Sequence, residues 1–188
     1  MLDIGRFAAD GVGVKSDNIV KSIQYVTGTG TVTLDHGVDK EASLAVRLSS
    51  NVGAPSVAYS MNIPSISSDG LSVVMSSNSG NQLVMVIEFY SRFIKSYQTG
   101  SFSVSSASGD NPLTTAISTV VPDNSILVFS GGYSYYDTPS GAYRLSAVYT
   151  TDISLNASSI VATFGKNNDI LRNANFTYIV LEFMDSVI

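Results

Sequence analysis

The feature that most constrains the fold of this 188-residue chain is internal repetition. Val20-Lys21-Ser22-Ile23-Gln24 recurs as Ile94-Lys95-Ser96-Tyr97-Gln98, and Val86-Ile87-Glu88-Phe89 recurs as Val180-Leu181-Glu182-Phe183. Each opening motif is followed by a Thr-Gly pair (Thr27-Gly28, Thr99-Gly100) and then by an alternating segment. A chain that repeats both an opening and a closing motif builds one supersecondary unit twice. The repeats divide it into an N-terminal arm (1–16, Gly-rich and weakly patterned), module one (17–91) and module two (92–188). Only Tyr90 to Ile94 separate Phe89 from Lys95, too little for a flexible linker.

The dominant period is two. Leu44, Val46 and Leu48 alternate with Ala45, Arg47 and Ser49, and Phe102 and Val104 with serines, as half-buried strands do. Leu83-Val84-Met85-Val86-Ile87 and Tyr178-Ile179-Val180-Leu181 are apolar on both faces, which predicts central strands covered from both sides. Gly, Pro, Asn and Asp clusters interrupt the pattern at sandwich-like spacing, and no segment has the period of a long helix. The expected fold is all-β: two tandem antiparallel β-sandwich modules of jelly-roll-like kind.

The copies differ in length. Lys21 to Glu88 is 88 − 21 = 67 positions and Lys95 to Glu182 is 182 − 95 = 87, so module two carries 20 more. Matching Ser56–Ser60 to Ser125–Ser130 places the surplus at 131–150, a segment with five of the ten tyrosines: Tyr133, Tyr135, Tyr136, Tyr143 and Tyr149. Gly131-Gly132, Pro139 and Gly141 suit a projecting hairpin. Tyr offers rigid, amphipathic contact area, so Tyr133, Tyr135, Tyr136 and Tyr143 are candidates for binding a glycan or another subunit, or for plain surface packing.

Composition removes several functions. A formal charge of −5 without a Lys/Arg run opposes nucleic acid and anionic membranes. The absence of Cys excludes disulfides, zinc–thiolate sites and Cys nucleophiles. No basic-then-apolar start marks a signal peptide, and no apolar run is long enough to insert in a membrane. Charged residues are only 13%, which leaves little repulsion between copies and favours a homo-oligomer that covers its strand edges.

The Lys-Ser-X-Gln opening, the Thr-Gly-led strand and the closing apolar-Glu-Phe strand resemble small modules in structural proteins of tailed bacteriophages, across about residues 19–185. The basic residue usual after Gln in such motifs is replaced by Tyr25 and Thr99. The resemblance implies a non-enzymatic virion component, either a tail-fibre or tail-hub part or a head decoration protein. Its partners would be other virion proteins and, through the Tyr-rich segment, host surface glycans.

Nothing else in the sequence points to chemistry as directly. His36, the one histidine, sits in a loop and reads as an exposed turn residue. Gly11-Val12-Gly13 and Gly28-Thr29-Gly30 lack the third glycine and helix of a nucleotide site. Asp110, Asp123, Asp137, Asp152 and Asp169 are spaced as turn residues; a pair flanking a glycosidic bond, as in a glycan hydrolase, is the weaker alternative. Asn156-Ala157-Ser158 and Asn175-Phe176-Thr177 read as chance matches to the glycosylation pattern. No cofactor and no metal is expected. Glu88 and Glu182, each inside an apolar strand, read either as interface or ligand carboxylates or as partners of Lys21 and Lys95; repetition in both modules favours the pairing.

Overall fold

The protein, seen in a computed structural model, is described over residues 18–50, 59–60, 63–75, 81–104, 112–130, 132–137, 144–167 and 174–185. Module one contributes β1 (Val20–Gly28), β2 (Thr31–Thr33), β3 (Ser43–Ser50), β4 (Tyr59–Ser60), β5 (Ser65–Ile66), β6 (Ser72–Val74) and β7 (Gln82–Phe89). Module two contributes β8 (Ile94–Val104), β9 (Leu113–Ala116), β10 (Ser125–Phe129), β11 (Gly132–Asp137), β12 (Arg144–Asn156), β13 (Ser159–Asn167) and β14 (Ala174–Phe183). Single 3-10 turns at Lys40–Ala42, Ser91–Phe93 and Pro122–Asn124 lead into β3, β8 and β10; the described residues contain no longer helix. The fold is therefore all-β, with every strand pair antiparallel.

Among the described residues the strands form four sheets. In module one a sheet of order β2-β6-β5 faces one of order β1-β7-β3. In module two a sheet of order β10-β14-β8 faces a five-stranded sheet of order β4-β11-β12-β13-β9. Each module closes on its own core: Val26, Val73, Val84 and Val86 in module one, and Phe102, Phe164, Phe176 and Val180 in module two. A third core joins the modules, where Leu44, Ile87 and Phe89 pack with Ile179, Leu181 and Phe183. This explains the two doubly apolar runs. Alternate residues of β7 and β14 serve the module core on one face and the shared core on the other, so neither strand has a side toward water.

In both modules the opening strand lies beside the closing strand: β1 pairs with β7, and β8 with β14. The third strand of each central sheet corrects one expectation. β10 pairs with β14 as β3 pairs with β7, with Ser125 opposite Glu182 and Ser43 opposite Glu88. The counterpart of Ser125–Phe129 is thus Ser43 onward, not Ser56–Ser60. The offset between modules is 95 − 21 = 74 at the opening motif, 125 − 43 = 82 at the third strand and 182 − 88 = 94 at the closing motif. Eight extra residues therefore fall before β10 and twelve after it, and the surplus is not one block at 131–150. Nor does that segment form a detached hairpin. The β11 backbone pairs with β12 on one side and with Tyr59–Ser60 of module one on the other, and β12 continues into the ladder with β13. The local likeness of Ser56–Ser60 to Ser125–Ser130 misled because any short alternating strand resembles another. Only the pairing partner identifies the equivalent one.

The N-terminal arm, Tyr143 and the side chains of Tyr133, Tyr135 and Tyr136 lie outside the described residues. Among the described residues no helix is long and apolar enough to cross a membrane.

Candidate functional site

Lys21 and Ser22 are adjacent, and in a regular strand adjacent side chains point to opposite faces. Here both reach one carboxylate. Lys21 Nζ donates to Glu88 Oε1 at 2.8 Å and Ser22 Oγ to Glu88 Oε2 at 3.1 Å. A bulge between Val20 and Ser22 allows this, since the extra residue of a bulge shifts the alternation. Module two repeats the device. The register slips between Glu182 and Phe183, Lys95 Nζ donates to Glu182 Oε1 at 3.0 Å, and Ser96 Oγ donates to Oε2 at 3.0 Å.

A third donor completes each frame. The Asp39 amide donates to Glu88 Oε1 at 3.0 Å, and the Val121 amide to Glu182 Oε1 at 2.9 Å. These amides lie just before the 3-10 turns, and the turns are held by matching bonds from Ser43 Oγ to the Asp39 carbonyl and from Ser125 Oγ to the Val121 carbonyl. The glutamines of the motif act likewise. Gln24 bonds the backbone of His36 with both ends of its amide, at 3.0 and 3.2 Å, and Gln98 does the same to Ser118, at 3.1 and 2.8 Å. Each polar residue of Lys-Ser-X-Gln thus either neutralises the closing glutamate or ties down the loop before the third strand.

Glu88 and Glu182 are both 1% exposed. Burial pushes each carboxyl up. The bonds from lysine, serine and backbone amide outweigh it and hold both below the ordinary carboxylate range. Their own lysines are raised, chiefly by the bond to glutamate, while the lysine side chains remain about half exposed. A carboxylate saturated by three donors is a poor general base, because accepting a proton costs it those bonds. The frames do structural work on the loop and the third strand of each module.

The remaining candidates are not brought together. His36 is exposed, and its backbone, not its ring, is held by Gln24. Asp123 lies in the Pro122–Asn124 turn and Asp152 on β12, both exposed, while Asp110 and Asp169 lie outside the described residues. Among the described residues no group of three His, Cys, Asp or Glu could hold a metal ion. Asn156 sits at an exposed turn between β12 and β13.

What the motifs did not announce is an open apolar row on β1. Ile23 is 50% exposed and Tyr25 60%. They stand opposite Ile87 and Met85 of β7, on the face that makes the shared core. The signal was present inside the motif, as Ile23 and Tyr25 alternating with Ser22 and Gln24; which face would stay open was not. Beside the shared core, Arg92 lies over the rings of Tyr90 and Phe93, at 4.8 and 4.6 Å from their centroids, and covers the turn between modules.

No family model matches the chain, and neither a curated protein nor a solved structure matches it.

Proposed function

We propose that this chain is a non-enzymatic structural subunit of a tailed-bacteriophage virion, part of the tail fibre or tail hub, and that it acts through assembly contacts. The observation that carries this reading is the double use of one frame. The residues through which the chain resembles phage structural modules, Lys21, Ser22, Gln24 and Glu88 with their counterparts in module two, are spent on holding the fold. A repeated polar motif absorbed by the framework leaves contact surfaces as the means of action, and these are apolar strand residues and Tyr-bearing segments of low charge. Partners are other virion proteins and further copies of the chain, with host surface glycans as the ligand class of the 131–150 segment.

Labelling the chain on intact particles and imaging them by cryo-electron microscopy tests the reading. Density at the tail fibre or hub supports it. Density on the capsid shell would make the chain a head decoration protein, and absence from purified particles would end the virion assignment. Replacing Tyr133, Tyr135 and Tyr136 together with Ala tests the surface: reduced incorporation assigns it to a subunit contact, and normal incorporation with reduced adsorption assigns it to a host glycan.

A further inference from the structure

We propose that β1 is a self-association edge, along which two copies of the chain pair antiparallel about a two-fold axis and cover each other's Ile23 and Tyr25. The proposal goes beyond the virion reading and stands without it, because it concerns the purified chain alone.

Three observations carry it. First, among the described residues β1 ends its sheet, with β7 as its only ladder partner. Its nine residues contain no proline and one charge, Lys21, which is drawn to Glu88. Exposed edges in soluble proteins are usually blocked by charges, prolines or covering segments. The one bulge lies at Val20–Ser22, at the start of the strand, and leaves Ile23 to Gly28 in regular register.

Second, the equivalent of Ile23 in module two is partly covered, although Thr99, the equivalent of Tyr25, is exposed. Tyr97 corresponds to Ile23, stands opposite Leu181, and is half-buried against the shared core. β8 there touches the Lys40–Ala42 turn of module one. The turn that would match it over β1 is Pro122–Asn124, yet Val121 beside it is 40% exposed and Ile23 and Tyr25 stay open. The shared core thus takes in Tyr97 of β8 and Val20 of β1 but stops short of Ile23 and Tyr25.

Third, the open row continues an interface already made from two copies of one surface. In the shared core Phe89 meets Phe183, and Ile87 and Leu181 accompany them, all pairs of equivalent residues. This face packs against its own repeat, so a second copy is the occupant whose chemistry is already shown to fit. Pairing with Gln24 opposite Gln24 of the other copy sets Ile23 against the other copy's Tyr25, a β-branched–aromatic cross-strand pair formed twice. One strand edge is a small interface, so the association should depend on concentration.

Analytical ultracentrifugation of the purified chain should show a reversible monomer–dimer equilibrium, and Ile23→Lys with Tyr25→Lys should weaken it at least about tenfold while the melting temperature holds, because both side chains point to water in the single chain. Should that variant fail to fold, amide hydrogen exchange on the wild-type chain decides: exchange within residues 20–28 should slow as concentration rises. A wild-type chain that stays monomeric up to about 1 mM would overturn the proposal. So would β1 protection that is independent of concentration, since a segment of the same chain would then cover the strand.

Discussion

Phe89 and Phe183 hold equivalent places in the two repeats and meet edge to face, with ring centroids 5.1 Å apart and planes at 83°. Each ends the closing strand of its module, and each is almost fully buried. The contact buries, between the two modules, a surface that an isolated module would expose. The link is reinforced where the Ile63 amide of module one donates to Thr177 Oγ1 of module two at 3.1 Å, and where Tyr59–Ser60 extends module two's sheet.

Phe183→Ala should therefore destabilise the whole chain by about 3–5 kcal/mol, the scale for deleting a buried aromatic ring. Denaturant unfolding followed by tyrosine fluorescence and by circular dichroism should remain one coincident transition in the wild type. Two separate transitions would show that the modules fold independently and that the shared core is weak.

Glu88→Gln and Glu182→Gln keep the shape of the side chain but remove its charge. Each should cost about 1.5–3 kcal/mol, the value of hydrogen bonds to a charged group. The two losses should be similar because the two frames are alike, with donors from Lys, Ser and a backbone amide in each. Equilibrium denaturation of the single variants measures this. A cost near zero in both would mean that desolvation of the carboxylates cancels their bonds.

The same frames set a pH dependence with a defined sign. Glu88 and Glu182 lie below their ordinary value in the folded chain, so their contribution is complete above the unfolded value and is lost as pH falls through the folded one. Lys21 and Lys95 are raised, so theirs is complete below the unfolded value and is lost as pH rises through the folded one. Melting temperature should be level near neutrality and drop on the acid side, beginning near pH 4. The double variant Glu88→Gln with Glu182→Gln should show a shallower acid drop; an identical drop would place the titrating groups elsewhere.

Gly100→Ala should destabilise through a clash rather than through backbone strain. A Cβ there would fall on the phenol ring of Tyr178, which lies across the strand pair from Gly100 and covers it. The expected cost is about 1–3 kcal/mol, as for overpacking a filled core. Adding Tyr178→Val should recover part of it in a double-mutant cycle, because Val84 fills the matching place in module one. No recovery would mean that the ring is not the obstacle.

Much of this architecture is legible in the residues. The repeated motifs mark two modules, and runs such as Leu83–Ile87 mark strands apolar on both faces, because burial on two sides leaves no place for a polar side chain. The recurrence of Lys and Glu at matching ends of each module points to their pairing, since a glutamate in an apolar strand needs a donor nearby. The equivalence of β3 and β10 is not legible. Ser43 and Ser125 are matched by what they face, Glu88 and Glu182, and not by their local sequence. For the same reason the 20 surplus residues are dispersed, and the Tyr-bearing segment pairs with Tyr59–Ser60 instead of standing alone.

By itself the sequence determined the period, the two modules and the chemistry of their frames, because these depend on residue type and on spacing along one chain. Only the tertiary structure decided which apolar face is shared, that Phe89 meets Phe183, and that Ile23 and Tyr25 stay open while Tyr97 is covered. Ile23 and Tyr97 occupy the same place in the same motif, yet Ile23 is half exposed while Tyr97 packs against the shared core on a strand that the Lys40–Ala42 turn touches. That depends on how two sheets lie across one another, a relation between distant segments that no local pattern encodes.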